Sequence, residues 1–336
     1  QGVGSSVINE LKNIIITFTS AMLVIEGNIT LGIMLSIQYI IGQLNSPISQ
    51  MVGFIRSYQD ARISMERLAE IHDKEDEEGR EKQLVNQIDP DQDIHFKKVS
   101  FRYLGSDEDV IKALSMEIPA NKVTAIVGAS GSGKTTLIEM LCRLHPAPEG
   151  SILINGHSIE KIKLSSLRNL VQVVPQDAFL FSQSVSENLA FSKLSWEMEE
   201  IVEATEHVHL HDEILEWPDQ YKSIVGERGV NLSGGQKQRM TLARALVKDS
   251  SIAILDDTLS AVDAKTEENI LNILKNQLQN KTAIVIAHKL ASVAWCDQIL
   301  VLNQGHLEWA GDHLELLSKS ATYNQLFEMQ SSGGRV

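Results

Sequence analysis

Apolar residues crowd the start of the chain in two runs, IIITFTSAMLVI (14–25) and LGIMLSIQYIIGQL (31–44), separated by the polar EGNIT. Both suit helices, and neither reaches the roughly 18–20 uninterrupted apolar residues of an unambiguous membrane span. In SPISQMVGFIRSYQDARISMERLAEIH (46–72), Ile48, Val52, Ile55, Ile63, Leu68 and Ile71 recur at helical intervals, so the second helix is expected to run on. Charge then takes over. The stretch HDKEDEEGREKQLVNQIDPDQD (72–93) is nearly free of large apolar groups and reads as a solvated linker. Beyond it, alternation in DIHFKKVSFRY (93–103) predicts strands at a sheet edge. KVTAIV (122–127), SIAIL (251–255) and TAIVIA (282–287) are compact apolar runs expected as buried parallel strands, with helices between them. QILVLNQGHLEWAG (298–311) predicts a hairpin turning around Asn303–Gly305. The fold class expected is α/β, a parallel core with an antiparallel flank, preceded by an all-α segment.

Composition changes this picture in few places. The chain of 336 residues can hold one large or two modest domains, and 43% apolar with 22% charged residues is ordinary globular usage. A formal charge of −14 argues against a nucleic-acid backbone as partner. Cys142 and Cys296 form neither a metal-ligand spacing nor a disulfide framework, which fits two buried thiols in a reducing compartment. In HVHLH (207–211) only His207 and His211 share a helical face, two ligands without a third, and a metal site there is discounted. Trp196, Trp217, Trp295 and Trp309 are scattered and read as packing residues.

For the first two helices, core packing and membrane insertion both stay open on apolarity alone, and three features favour the membrane. Residues 11–53 carry only Lys12 and Glu26 as charged groups, Glu26 falls in the short loop, and Arg56, Arg62 and Arg67 follow the second run. That basic bias places the downstream end in the cytoplasm. Gln38, Gln43, Asn45 and Gln50 would then face a bundle interior or a water-filled cavity. The opening QGVGSSVINE has neither an initiator methionine nor a basic first region, and the chain reads as a fragment.

Chemistry enters at VGASGSGKTT (127–136), which contains G-x-x-x-x-G-K-T between a strand and a helical pattern. Glycines let backbone N–H groups curl around phosphate oxygens, the helix start adds a positive dipole, Lys134 reaches the outer phosphates, and Thr135 offers a hydroxyl to magnesium. A chance match is expected on the order of once per hundred chains of this length. The strand ending at Asp256 supplies a magnesium carboxylate. Between them, NLSGGQKQR (231–239) sits at a loop-to-helix junction, with Ser233 as a cap and Gly234 and Gly235 exposing amides.

With these motifs in this order, residues 93–330 resemble the ATP-binding cassette family. The resemblance implies a phosphate-loop cassette with a parallel core, an antiparallel β subdomain and a helical signature subdomain, with ATP and Mg2+ as cofactors. It implies that Tyr103 stacks on adenine and that the loop 128–136, with Gly128, Ser130, Gly131, Gly133, Lys134, Thr135 and Thr136, holds the phosphates. It further implies that Gln176 in VVPQDAFLF joins Thr135 and Asp256 on magnesium, and that His288 in IAHKL contacts the terminal phosphate. Ser233, Gly235 and Gln236 of LSGGQ and Asp263 of SAVD then serve the nucleotide held by a second cassette. Glu227 in VGERGVNLSGGQ and the helices of residues 11–71 resemble exporters. Domain limits follow: 1–71 the end of a membrane domain, 72–92 the linker, 93–330 the cassette, 331–336 a tail. The family's half-transporter carries six membrane helices, so roughly four are missing from this stretch, and it should not form a complete path. The implied setting is a cell membrane, plasma or inner, in contact with lipid, with the cassette in the cytoplasm. The cargo hints disagree: QLNSPISQMVGFIRSYQDARISMERL resembles peptide exporters, whereas ILDDTLSAVDAKTEE resembles multidrug heterodimers.

One departure matters. After the magnesium aspartate the family commonly has a glutamate that prepares water for attack, and here the position is Asp257. Such a base must come within roughly 2.6–3.2 Å of its water. Loss of one methylene shortens its reach by about 1.5 Å, a carbon–carbon bond. The expectation is a site that binds ATP well and hydrolyses it slowly, as in the degenerate subunit of a heterodimer whose partner has the glutamate. A slow homodimer using Asp257, and an ATP-dependent clamp without turnover, are the alternatives.

Overall fold

The computed structural model describes residues 2–72, 84–89, 91–147, 149–193, 195–248, 250–287 and 289–331. The chain divides into two compact units, Gln1–Asp76 and Glu77–Val336.

The first unit is a pair of helices, α1 (Gly2–Ile25) and α2 (Leu31–His72). Gly27, at φ +76°, follows α1, and the Thr30 hydroxyl accepts from the Ile33 N–H where α2 begins. The two helices are joined by Gln38, whose amide donates to Thr17 Oγ1 at 2.7 Å. Gln43 and Gln50 instead donate to Tyr39 and Ser46 one turn back on α2 itself. As the periodicity predicts, α2 runs on beyond residue 46, through Pro47, which leaves one intrahelical bond unmade. Large apolar groups such as Phe18, Tyr39 and Phe54 are about two-thirds exposed on these helices. Among the described residues no helix is long and apolar enough to cross a membrane. The interruptions are polar: Glu10, Lys12 and Asn13 in α1, and Gln38, Gln43 and Gln50 in α2.

The second unit begins earlier than the linker pattern predicts. Residues 73–83 lie outside the described set, but Val85 forms a parallel bridge with Ile162. Its N–H donates to Lys161 O at 2.8 Å and its carbonyl accepts from Lys163 N at 2.9 Å. Two backbone bonds anchor this residue of the charged stretch.

A four-stranded antiparallel sheet, in the order β2-β1-β4-β5, comprises β1 (Ile94–Phe101), β2 (Ile111–Ile118), β4 (Glu149–Ile154) and β5 (His157–Ser158). The expected edge strand β1 lies in its interior, paired on both sides, and a register shift past Lys97 and Lys98 breaks its alternation. The larger sheet has the order β10-β9-β3-β8-β7-β6, with β3 (Val123–Val127), β6 (Val171–Val174), β7 (Ile252–Asp256), β8 (Thr282–Ile286) and β9 (Gln298–Asn303) parallel. β10 (His306–Gly311) closes it antiparallel as the expected hairpin, turning at Gln304 and Gly305. A bond from Lys112 N to Gly305 O, 3.0 Å, ties the two sheets.

The strand runs read as continuous because both faces are buried. Ile126, Ile254 and Ile284 turn toward a core shared with β1, β2, β4 and helix α3 (Lys134–Leu141). Their neighbours Ala125, Val127, Leu255 and Val285 turn the other way, toward a core built with α5 (Val185–Ala190), α6 (Met198–His207), α7 (His211–Leu215), α8 (Gly234–Lys248) and α9 (Ala264–Gln277). The short α4 (Leu164–Leu170) precedes β6, and α10 (His313–Lys319) and α11 (Ala321–Ser331) end the described chain. The loops after β3, β6, β7 and β8 leave from the carboxyl ends of the parallel strands, where α/β sheets place ligands.

Candidate nucleotide site

The loop from β3 to α3 is shaped by close approaches that admit only glycine. A Cβ at Gly128, φ +154°, would sit 2.2 Å from the Leu302 carbonyl oxygen of β9. At Gly133, φ +100°, it would sit 2.5 Å from Ile111 Cδ1. The loop is thus pressed against β9 and β2 and opens outward at Ser130 and Gly131, which are exposed. Lys134 is buried, and its ammonium donates to the Gly128 and Ala129 carbonyls, both at 2.9 Å. Burial holds that ammonium below the usual lysine range, against the opposing pull of Asp256 and Asp257.

The second strand of the motif delivers oxygen to the same place. Asp256 ends β7, is buried, and accepts from Thr135 Oγ1 at 3.3 Å. Asp257 turns into the left-handed region at φ +46°, with its N–H on Ile286 O at 2.9 Å. Its carboxylate accepts from Gln176 Nε2 at 3.5 Å. The structure therefore gathers Lys134, Thr135, Asp256, Asp257 and Gln176. Thr135 and Asp256 meet as hard oxygen donors beside a glycine cradle, which fits Mg2+ with a phosphate chain.

Tyr103 leaves the end of β1 and packs edge-on against Phe101 and His145, with centroids 4.9 and 5.4 Å apart. Its hydroxyl is shared with Thr136 Oγ1 at 2.9 Å and donates to Glu139 Oε2 at 3.1 Å, both on α3. Burial pushes the phenol above its usual range, with Thr136 lowering it and Glu139 adding to the rise. His288 lies outside the described residues.

Ser233, Gly235 and Gln236 form a second locus at the start of α8. Ser233 N donates to Gln236 Oε1 at 2.9 Å and Ser233 Oγ accepts from Gln236 N at 3.2 Å, a reciprocal cap. Gln238 clasps the loop that follows β7: its Oε1 accepts from Ala261 N at 2.9 Å and its Nε2 donates to Ser260 Oγ at 3.1 Å. Ser260 Oγ in turn donates to the Asp257 carbonyl at 3.1 Å. Asp263 caps α9, and the Thr266 N–H holds its exposed carboxylate below the usual range.

Residues that the sequence did not single out complete this region. Glu213 of α7 pairs with Arg239 at 2.7 Å and accepts from Gln236 Nε2 at 2.8 Å. Arg244 of α8 donates to Asn188 O at 2.8 Å, Asn188 Oδ1 at 3.1 Å and Phe179 O at 3.0 Å, and lies over the Phe181 and Phe191 rings. Burial lowers its guanidinium to about 10. Arg239 stands beside the quoted signature, whereas no local pattern marks Glu213 or Arg244.

Comparison with known proteins settles the domain. Residues 111–260 match the family model described as ABC transporter. The chain therefore carries an ABC transporter domain. It is 37% identical over 313 residues to the mitochondrial iron-sulfur clusters transporter ABCB7 of Homo sapiens, covering 92% of this chain and 41% of that protein. Identity to the uncharacterized ABC transporter ATP-binding protein YknU of Bacillus subtilis is 34% over 308 residues, 92% and 53% of the two chains. With the ATP-dependent lipid A-core flippase of Photorhabdus laumondii it is 38% over 288 residues, 85% and 49%. The chain spans about half the length of these ABC relatives. A solved bacterial Atm1-family ABC exporter with ATP bound superposes with a TM-score of 0.72 at 33% identity, over 90% of this chain and 53% of that one. The α/β fold of the cassette is thus the ABC fold.

Proposed function

We propose that residues 93–330 are the ATP-binding and ATP-hydrolysing motor of a half-transporter, which drives export across a cell membrane in which the helices of residues 1–71 are embedded. The observation that carries this reading is the meeting of Thr135 and Asp256 beside buried Lys134. Support for the membrane comes from the relatives named as transporters, flippase and exporter. The plasma or inner membrane, with the cassette on its cytoplasmic side, is the location we assign.

In this reading Tyr103 packs against adenine. The amides of 128–136 and the Lys134 ammonium hold the phosphates. Thr135, Asp256 and Gln176 would hold Mg2+, which supplies charge neutralisation at the transferring phosphoryl group. Asp257 orients the attacking water and accepts its proton, while Gln176 holds the Asp257 carboxylate; the resemblance assigns His288 to the terminal phosphate. Ser233, Gly235, Gln236 and Asp263 serve the nucleotide of a second ABC half-transporter, so that binding closes the pair and hydrolysis reopens it.

We assign the partner as a different chain carrying glutamate where this one has Asp257, because the shorter carboxylate slows this site while the signature is complete. The second reading, a slow homodimer, draws on the Gln176 contact, which turns Asp257 toward the site. For cargo, the segments noted in the sequence favour a peptide or drug-like molecule, whereas the relatives' names carry iron-sulfur clusters and lipid A-core. A similar cassette serves all of them, so the membrane helices choose the cargo. The test is Mg2+-dependent ATP binding and phosphate release by the full chain. Lys134→Ala and Asp256→Asn should remove binding and turnover respectively, and unchanged values in both would refute the assignment.

A further inference from the structure

We propose that Glu213, well outside the signature sequence, is the positioning residue that sets the Ser233 hydroxyl for the partner cassette's nucleotide; this rests on the reading above. Glu213 divides its carboxylate. One oxygen meets Arg239 Nη2 at 2.7 Å, and the other accepts from Gln236 Nε2 at 2.8 Å. Arg239 is itself fixed by its bonds to the His209 and Gly235 carbonyls.

That arrangement decides which way the Gln236 amide points. With its NH2 on Glu213, the Oε1 atom faces back and accepts from Ser233 N at 2.9 Å. The flipped amide would set oxygen against carboxylate at one end and N–H against N–H at the other, and both contacts are repulsive. Glu213 therefore locks the reciprocal cap in which Ser233 Oγ accepts from Gln236 N at 3.2 Å. With that lone pair engaged, the hydroxyl proton of exposed Ser233 is left to donate outward. An anionic phosphate oxygen is the acceptor this donor suits.

Glu213→Gln tests the lock. A glutamine at 213 has one acceptor for two donors, so either Arg239 or Gln236 faces an N–H and the cap loses its preferred orientation. Turnover of the full chain assembled with its partner half-transporter should fall about tenfold, with binding of a fluorescent ATP analogue to the Lys134 loop unchanged. The decisive measurement is a double-mutant cycle with Ser233→Ala. If Glu213 acts through Ser233, E213Q in the S233A background changes turnover less than twofold. Multiplying effects, or E213Q turnover within twofold of wild type, overturn the proposal. S233A that leaves turnover unaltered would instead refute the signature assignment itself. Amide exchange needs no turnover: Mg2+ and ATP should protect 233–237 in the wild type and fail to do so in E213Q, with 128–140 still protected. Equal protection of 233–237 in both chains overturns the lock, including where E213Q is poorly folded by thermal scan.

Discussion

Replacing Asp257 by glutamate restores the missing methylene without touching Lys134, Thr135 or Asp256. The reach gained is about 1.5 Å, and misplacements near 1 Å cost on the order of a hundredfold in rate. Backbone geometry opposes part of this gain. Residue 257 sits at φ +46°, a region that aspartate enters more readily than glutamate. Aspartate already bears most of the ~1–2 kcal/mol that an L side chain costs there, so glutamate adds a fraction of it, which lowers folded stability rather than removing the carboxylate from its water. The expected outcome is a ten- to hundredfold rise in phosphate release from the full chain in lipid nanodiscs, together with a melting temperature lower by about a degree or two. Asp257→Asn, measured beside it, should fall below wild type. A D257E chain that melts lower yet turns over at the wild-type rate would refute the short-carboxylate argument, and an unchanged D257N would remove Asp257 from the chemistry.

Other outcomes follow from packing and charge. Gly128→Ala should destabilise the cassette by at least about 2 kcal/mol, because its Cβ meets β9 backbone 2.2 Å away that cannot shift; a normal thermal scan would contradict the loop geometry. Arg244→Ala strands the Asn188 and Phe179 carbonyls and uncovers two rings, and should cost about 2–4 kcal/mol in denaturant unfolding. Burial pushes the Cys142 and Cys296 thiols up to about 12 from 9, so alkylation at pH 8 should be slow in the native chain and rapid in urea. Since the folded values lie above the unfolded one, the native state keeps protons that the unfolded chain has lost. Stability is thus full below pH 9 and declines from 9 toward 12, as alkaline melts should record.

Legibility in the sequence tracked how local each cause is. KVTAIV, SIAIL and TAIVIA announced strands because burial on both faces demands unbroken apolar runs, and β3, β7 and β8 fall on them within a residue at each end. β1 was visible as a strand but misplaced to an edge, since alternation records side-chain faces and not hydrogen-bonded neighbours. IKALSMEI and EGSILI, which form β2 and β4, were not singled out, being short and mixed. Val85 was hidden by the charges around it. In the site, glycine spacing exposed the phosphate loop, whereas Glu213 becomes relevant only once α7 is folded against α8. The left-handed turn at Asp257 is likewise set by its bond to Ile286, a strand distant in the chain.

The clasp of Gln238 on Ser260 and Ala261 has a mechanical consequence. Ser260 also holds the Asp257 carbonyl, so the backbone of Asp257 and the start of α8 are fastened to one short lever. In the sandwich proposed above, these ends would serve opposite nucleotides. On the proposed assignment, a displacement of Asp257 when phosphate departs would be passed through this lever to the serine presented to the other pocket.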